Sequence, residues 1–213
     1  LLEGTLLAAL GGVAGLTVGF VCATLIHTFV PLLPVHTPWS FVILAELLVF
    51  GLLFVAYAFA RAGDVALFNH HQQELDQAAG LINTLLLVTG SYFVARAVAA
   101  VRGGSGRACA LWLAAGFGTG VLFVAVKFGE YADKFAAGVS LSTNTFYMFY
   151  LGLTFFHLMH VLMGMVILAV VAQKAWRGGY SRVEHAGVET GAAYWHMVDL
   201  VWLILFPLLY VMR

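Results

Sequence analysis

Six long apolar runs constrain most strongly what this chain can fold into. A helix needs about 20 mostly apolar residues to cross a bilayer. The runs that meet this length cover residues 5–30, 39–60, 80–101, 110–128, 143–172 and 192–211. They are too long for strands and do not alternate between apolar and polar residues. The sequence therefore predicts an all-α, polytopic transmembrane bundle of about six helices.

The composition excludes a water-soluble fold. Of the 213 residues, 62% are hydrophobic and only 9% are charged, whereas soluble domains carry about 25% charged residues. Ten basic residues balance ten acidic ones, so the chain has no basic field for nucleic acid. Cys22 and Cys109 form no CxxC or Cys/His spacing typical of a metal site. We therefore expect an integral membrane protein with no nucleic-acid partner.

The predicted spans form a single transmembrane domain over residues 1–213. Pro31 and Pro34 end the first apolar run, and Pro38 precedes the second. Proline disfavours the helix interior because its nitrogen cannot donate a hydrogen bond. Residues 1–38 are therefore predicted to be a leading helix and its connection, and residues 39–213 a five-helix core.

The loops that join the spans differ in positive charge. One face of the bundle collects Arg96, Arg102, Arg107, Lys174, Arg177 and Arg182. The opposite face collects Arg61, Lys127, Lys134 and Arg213. Cytoplasmic loops carry the excess of Lys and Arg. We therefore expect the loops near Arg102 and Arg177 to be cytoplasmic and both termini to lie outside, most simply in a bacterial inner membrane.

Glu46 lies inside the second apolar run, where an ionised carboxylate facing lipid would be costly. It must be protonated, paired or close to the membrane interface. One hypothesis is a proton-linked or lipid-linked carboxylate, and the other is a structural hydrogen bond to a neighbouring helix. Since desolvation favours the neutral carboxyl, we expect Glu46 to be protonated part of the time.

Two further pairs of polar residues lie three positions apart within predicted helices. His157 and His160 share one helix face, about 4.5 Å apart along the axis, which is compatible with metal ligation. A metal site would need more ligands, and the candidates are Glu130, Asp133, His196 and Asp199. No HExxH or ExxH pattern joins them. Interhelical hydrogen bonds are therefore the favoured interpretation of both histidines.

His196 and Asp199 form the second pair, and they are either a structural contact or a step in a proton path. We expect both to face the fifth predicted span rather than lipid, and Asp199→Ala to destabilise the bundle more than Arg177→Ala. Lys127 lies at the end of the fourth apolar run, Glu130 and Asp133 follow it, and the three are predicted to form an interfacial charge cluster. Two alternative functions would use these groups. A stand-alone membrane metalloenzyme would hold a metal with His157, His160, His196 and carboxylates, and a small transporter would use Glu46 and Asp199 as proton sites.

Several short motifs, taken together, resemble subunit III of the haem-copper oxidases. The segment 189–203 (ETGAAYWHMVDLVWL) resembles the last helix of that family, and 157–161 (HLMHV) with Gly164 its penultimate helix. Residues 81–84 (LINT) and the pair Glu130-Tyr131 match two further motifs, and Glu46 stands where the family has a buried carboxylate. The sequences of residues 196–199 and 206–210 most resemble the short branch of this family, which is associated with nitric oxide reductase.

The resemblance covers residues 39–212 and implies an accessory role in a respiratory electron-transport complex. A subunit III carries no haem or copper, packs beside the catalytic subunit, holds phospholipid in a cleft and supports proton uptake. Haem and copper or iron are then expected in the partner subunit, with no redox centre or metal in this chain. The lipid cleft is expected between the leading helix and the later helices, near Glu46. The terminal acceptor, oxygen or nitric oxide, stays open.

Overall fold

A computed structural model describes residues 39–212, which form six helices and a closing turn. The helices are α1 (Trp39–Gly63), α2 (Val65–Gln72), α3 (Gln77–Arg102), α4 (Gly106–Ala136), α5 (Thr145–Trp176) and α6 (Ala186–Phe206), followed by a π-helical turn (Pro207–Val211). All except the short α2 are long and apolar enough to cross a membrane. The all-α transmembrane fold and five of the six predicted spans are thus confirmed, whereas the leading helix lies outside the described residues.

Side-chain caps and glycines define where the helices begin and end. Asp76 accepts hydrogen bonds from the backbone N–H groups of Ala78 and Ala79 at 2.9 and 3.0 Å, which satisfies free donors of the first turn of α3. Asn144 caps α5 in the same way through the N–H of Tyr147. The chain turns after Arg102, where Gly104 takes a φ of +84°, which a residue with a Cβ rarely adopts.

Trp195 of α6 occupies the centre of the bundle, in a notch made by glycines of three other helices. Its side chain is fully buried. A Cβ added at Gly120 on α4 would lie 3.0 Å from the indole, one at Gly164 on α5 3.1 Å, and one at Gly90 on α3 3.3 Å. Small residues let helix backbones approach closely in lipid. The glycines therefore let α3, α4 and α5 close around one large aromatic ring.

Helix α1 packs on this bundle through long side chains. The ring of Phe50 lies 5.0 Å from that of Phe156 on α5, and the Tyr57 hydroxyl donates to the carbonyl of Leu208 at 3.3 Å. Its opposite side exposes a row of apolar residues, namely Leu44, Leu48, Leu52, Val55 and Phe59. Such an apolar face suits contact with acyl chains or with another membrane helix.

The last helix does not run regularly to Val211 as predicted, because Pro207 interrupts it. Proline has no N–H to donate to the carbonyl one turn earlier. The backbone instead closes a wider turn, in which the N–H of Met212 donates to the carbonyl of Pro207 at 2.8 Å. Gln72 and Gln77 hold this turn from the α2–α3 region, through the carbonyls of Leu208 and Tyr210 at 3.0 and 2.8 Å.

The loops group on two faces as their sequence order predicts. On one face, Arg182 donates to the carbonyl of Gly103 at 2.8 Å, and Arg102 pairs with Glu189 at 2.6 Å. On the other, Arg61 donates to the carbonyl of Met212 and Lys134 to that of Glu74, both at 2.6 Å. These contacts tie adjacent loops together at each end of the bundle.

Candidate functional site

The five polar residues predicted within the spans make three separate contacts. These residues are Glu46, His157, His160, His196 and Asp199. Glu46 pairs with His160 across α1 and α5. His157 bonds the backbone of α6. His196 and Asp199 lie beside α3 instead, near Ser91. They therefore do not form one site, and each contact has its own chemistry.

Glu46 and His160 share a proton. Nδ1 of His160 lies 2.8 Å from the carbonyl of Phe156, and since a carbonyl only accepts, Nδ1 carries a hydrogen. Nε2 of the same ring lies 3.1 Å from Oε2 of Glu46. A hydrogen bond there needs one more proton, either on the carboxyl or on the imidazole. A hydrogen-bonded pair therefore carries one proton more than an ionised glutamate and a neutral histidine together.

The Glu46–His160 pair lies at the edge of the bundle. The side chain of Glu46 is 33% exposed and that of His160 is 12% exposed, so Glu46 is half-buried rather than buried as predicted. Phe50 packs against the imidazole at 5.1 Å between ring centres. The carboxyl of Glu46 therefore has apolar groups on one side and is open to the outer surface of the bundle on the other.

His157 is fully enclosed and joins α5 to α6. Its Nε2 donates to the carbonyl of Val198 at 3.0 Å. The ring lies among Phe50, Phe123 and Trp202, with centres 5.2 to 6.4 Å away. Although His157 and His160 share a helix face, their Nε2 atoms bind different helices and do not converge on one point. This arrangement favours interhelical hydrogen bonding over metal ligation.

The prediction that His196 is buried and faces the fifth predicted span is wrong. Its imidazole is exposed on the surface of the bundle, and Nδ1 lies 3.0 Å from the hydroxyl of Ser91 on α3. Asp199, one turn later, is only 8% exposed and lies beside both groups. Its Oδ1 meets no hydrogen-bond partner within residues 39–212. The spacing of three residues puts His196 and Asp199 on one side of α6, as predicted, but that side faces α3 rather than α5.

The predicted interfacial cluster is instead a buried ion pair. Lys127 is 0% exposed and Glu130 only 6% exposed, with 2.9 Å between Nζ and Oε2. Asp133 is exposed and lies outside this pair. The physical reason is that α4 continues to Ala136, so Lys127 and Glu130 face the bundle one turn apart while Asp133 faces outward.

Two tyrosines complete the coordination of this ion pair. Oε1 of Glu130 accepts hydrogen bonds from the hydroxyls of Tyr150 and Tyr210, at 2.5 and 2.7 Å. The ammonium of Lys127 donates to the hydroxyl of Tyr210 at 2.7 Å. Its nitrogen also lies 5.6 Å from the ring centre of Trp202, within the range of a cation–π contact. Four side chains thus join α4, α5 and the closing turn in one neutral network.

The sequence interpretation missed a polar group outside the spans, at the end of α2. His70, His71 and Glu74 place possible ligand atoms within 4.8 Å of one another. The Tyr147 hydroxyl donates to Glu74 at 2.6 Å. Together with the contact from His71, this hydrogen bond holds the pKa of the Glu74 carboxyl below its usual value. The pattern HHxxE was visible in the sequence, but its contact with α5 was not.

Hydrogen-bond directions oppose a preformed metal centre at this group. Oδ1 of Asn144 accepts from the N–H of Tyr147, so its amide nitrogen must donate to Nε2 of His71 at 2.9 Å. Nδ1 of His71 then carries the hydrogen and donates to Glu74 at 3.0 Å. A cation at Nδ1 would force a hydrogen onto Nε2, against the Asn144 amide. The group therefore fastens α2 to α5.

Comparison with known proteins adds a family to this geometry. Residues 26–213 match the family model described as cytochrome c oxidase subunit III. The cytochrome c oxidase subunit 3 of Synechocystis sp. is 33% identical over 171 residues, which cover 80% of this chain and 72% of that protein. The corresponding subunit of Thermostichus vulcanus is 32% identical over 177 residues, covering 80% and 83%.

A longer relative from Aeropyrum pernix is named heme-copper oxidase subunit I+III. It is 29% identical over 178 residues, which cover 81% of this chain but only 22% of that protein. The similarity therefore lies in one part of a chain whose name includes a second subunit.

Proposed function

This chain belongs to the cytochrome c oxidase subunit III family, whose members are accessory subunits of haem-copper oxidases, and we propose that it packs beside a haem-bearing catalytic subunit in the membrane. The observation that carries this proposal is the family match over residues 26–213, which includes every described helix. The Aeropyrum relative, by its name, unites subunits I and III in one polypeptide. We propose that the same two subunits are neighbours here.

Haem and copper or iron belong, in this proposal, to the catalytic partner. Both histidines of α5 are engaged with other protein groups. His160 uses both ring nitrogens, on Phe156 and Glu46, and His157 uses Nε2 on the carbonyl of Val198. A histidine that binds a metal or haem iron must direct a ring nitrogen at it. These contacts support a subunit that shapes and stabilises its partner.

We also assign to the α1 side of the chain a role in lipid binding and proton uptake. The exposed apolar row on α1 suits phospholipid acyl chains, which would gain dispersion contacts along it. Glu46 lies on the other side of α1, where it contacts α5: its side chain is 33% exposed, and Oε2 lies 3.1 Å from Nε2 of His160. We propose that this carboxyl, which is open at the edge of the bundle, is a step in the uptake of protons.

A hydrophobic carbodiimide tests this part of the proposal, because it reacts with protonated carboxyls within reach of lipid. We expect labelling of Glu46 in preference to Glu130, which is buried with Lys127, and Glu189, which pairs with Arg102. Glu46→Gln should remove the label. Equal labelling of all three glutamates, or none at Glu46, would show that Glu46 only bonds a neighbouring helix.

The excess of arginine at the α3–α4 and α5–α6 turns supports a cytoplasmic location for that face in a bacterial inner membrane. Gly178 and Gly138 are matched positions for a test, since both are exposed turn glycines with positive φ, on opposite faces. Alkaline phosphatase, which is active only outside the cytoplasm, should be inactive at Gly178 and active at Gly138. The reverse result would invert the orientation.

Purification of the tagged chain from native membranes tests the assembly itself. We expect it to retain a larger haem-bearing subunit, and the chain produced alone to hold neither haem nor a stoichiometric transition metal. One tightly bound metal per isolated chain would instead support the stand-alone metalloenzyme. The named relatives favour oxygen as the acceptor, and a complex that reduces nitric oxide but not oxygen would support the short branch.

A further inference from the structure

A polar patch lies on the outer surface of the bundle where α3 meets α6. It consists of Ser91, His196 and Asp199, and we call it the α3–α6 polar patch. The Ser91 hydroxyl lies 3.0 Å from Nδ1 of His196 and beside the carboxyl of Asp199, and the imidazole is exposed. Nε2 of His196 makes no hydrogen bond to any residue of the part that the structure describes. The patch therefore presents an unused hydrogen-bonding atom to whatever surrounds the chain.

The depth of the patch decides what can satisfy that atom. At a rise of 1.5 Å per residue, Ser91 lies about 21 Å from Gln77 and about 16 Å from Arg102, and His196 lies about 15 Å from Ala186. The hydrocarbon layer is about 30 Å thick. Water and lipid headgroups are thus out of reach, and acyl chains offer no donor or acceptor. Only protein can complete the hydrogen bonding here.

The neighbouring residues suit a close helix–helix contact. Ala95, four positions after Ser91, and Ala193, three positions before His196, lie on the same side of their helices and are exposed. Small residues beside a hydrogen-bonding side chain are typical of helix interfaces in membranes, because they let the backbones approach. The patch combines both features, whereas the exposed row on α1 has large apolar side chains.

We infer that the α3–α6 polar patch is the docking face for a transmembrane helix of the catalytic subunit, which supplies a hydrogen-bonding side chain to Nε2 of His196. This inference rests on the proposed function and names the surface that it uses. The carboxyl of Asp199, buried one turn later on α6, lies beside the imidazole.

Site-specific photocrosslinking in native membranes tests the docking face with the whole complex. Benzoylphenylalanine replaces Ala193 or Ala95 in the tagged full chain. The matched controls are Leu111 on α4 and Phe155 on α5, which are 62% and 55% exposed on other sides of the bundle. We expect adducts with the haem-bearing subunit from Ala193 and Ala95, and several-fold lower yields from both controls. Unchanged co-purification of haem shows that each variant assembles.

Four results would overturn the inference. These are adducts with lipid alone, an adduct the size of two copies of this chain, an internal adduct with residues 1–38, and partner adducts from the controls but not from Ala193. In each case, retained co-purification of the haem-bearing subunit would leave the proposed function standing. Failure of the unmodified chain to retain any such subunit would refute both.

Substitutions of His196 provide a second test, because a merely structural role of this residue would not make partner retention differ between the two variants. His196→Leu should lower the retention of the partner in detergent washes several-fold, whereas His196→Gln, which still hydrogen-bonds, should restore most of it. The melting temperature of the chain alone should change equally for the two variants. Equal retention of the partner in both variants would contradict the inference.

Discussion

The buried pair of Lys127 and Glu130 allows a sharp test of the packing of this bundle. Neither residue is more than 6% exposed, and Glu130 also accepts hydrogen bonds from Tyr150 and Tyr210. Lys127→Met keeps the length of the side chain but leaves a carboxylate enclosed without its cation. Breaking a buried pair in this way costs about 3–5 kcal/mol of unfolding free energy.

The double variant separates pairing from packing. Glu130→Gln preserves an acceptor oxygen for both tyrosines but strands the ammonium of Lys127, so we expect a loss of about 3–5 kcal/mol here too. In Lys127→Met/Glu130→Gln no charge remains to be compensated. Its loss should fall to about 0–2 kcal/mol, since neutral replacement of a buried pair is often tolerated. The coupling between the two positions should therefore be at least about 4 kcal/mol.

Equilibrium unfolding in mixed detergent and SDS micelles, followed by circular dichroism, measures these differences. Lys174→Met is a suitable control because Lys174 is exposed at the end of α5, where a substitution changes stability by about 0.5 kcal/mol or less. Additive effects of the two single variants would refute the reasoning. So would a loss in Lys127→Met no larger than that of Lys174→Met, because either result would mean that the pair is solvated.

Two further predictions concern packing and pH. Gly164→Ala should lower stability by about 1–3 kcal/mol, because the added Cβ meets the ring of Trp195. Gly152→Ala on the same helix should be neutral or slightly stabilising, because no atom lies within 4 Å of the added Cβ. Equal melting temperatures of the two variants in detergent would argue against the glycine notch. The lowered pKa of Glu74 means that its contribution to stability is present above the ordinary glutamate value of about 4.3 and is lost as the pH falls through the lowered value. Glu74→Gln should therefore be less stable than the parent at about pH 7, by less than about 1 kcal/mol since the side chain is 43% exposed. The difference should shrink as the pH falls through the lowered pKa. A difference that stays constant down to acid pH would contradict the assignment.

Much of the candidate site could be predicted as a set of residues but not as a set of contacts. Glu46 was singled out because a carboxylate in an apolar run is costly, and that reasoning holds for any fold. Its partner His160 is 114 positions away, and no local pattern indicates which of the two histidines on that helix it contacts. The neighbouring His157 binds α6 instead.

Local sequence was least informative about the end of a helix where that helix continues past charged residues. Lys127, Glu130 and Asp133 look like the polar end of a span, and the prediction from apolar length ends this span at residue 128, whereas α4 continues to Ala136. Whether such charges end in water or inside the bundle depends on Tyr150 and Tyr210, which come from other parts of the chain. The same holds for His196, whose exposure depends on how α6 is rotated against α3.

The sequence by itself determined the membrane class, the number of spans from residue 39 onward and the family. Apolar length, turn residues and short motifs are local properties, and a bilayer leaves the backbone no alternative to helices there. Tertiary structure alone decided which face each helix turns inward. The apolar residues surround α5 almost evenly, so hydrophobicity does not orient it. The glycine notch around Trp195 and the pairing of distant polar groups set that rotation, because each needs partners from several helices at once.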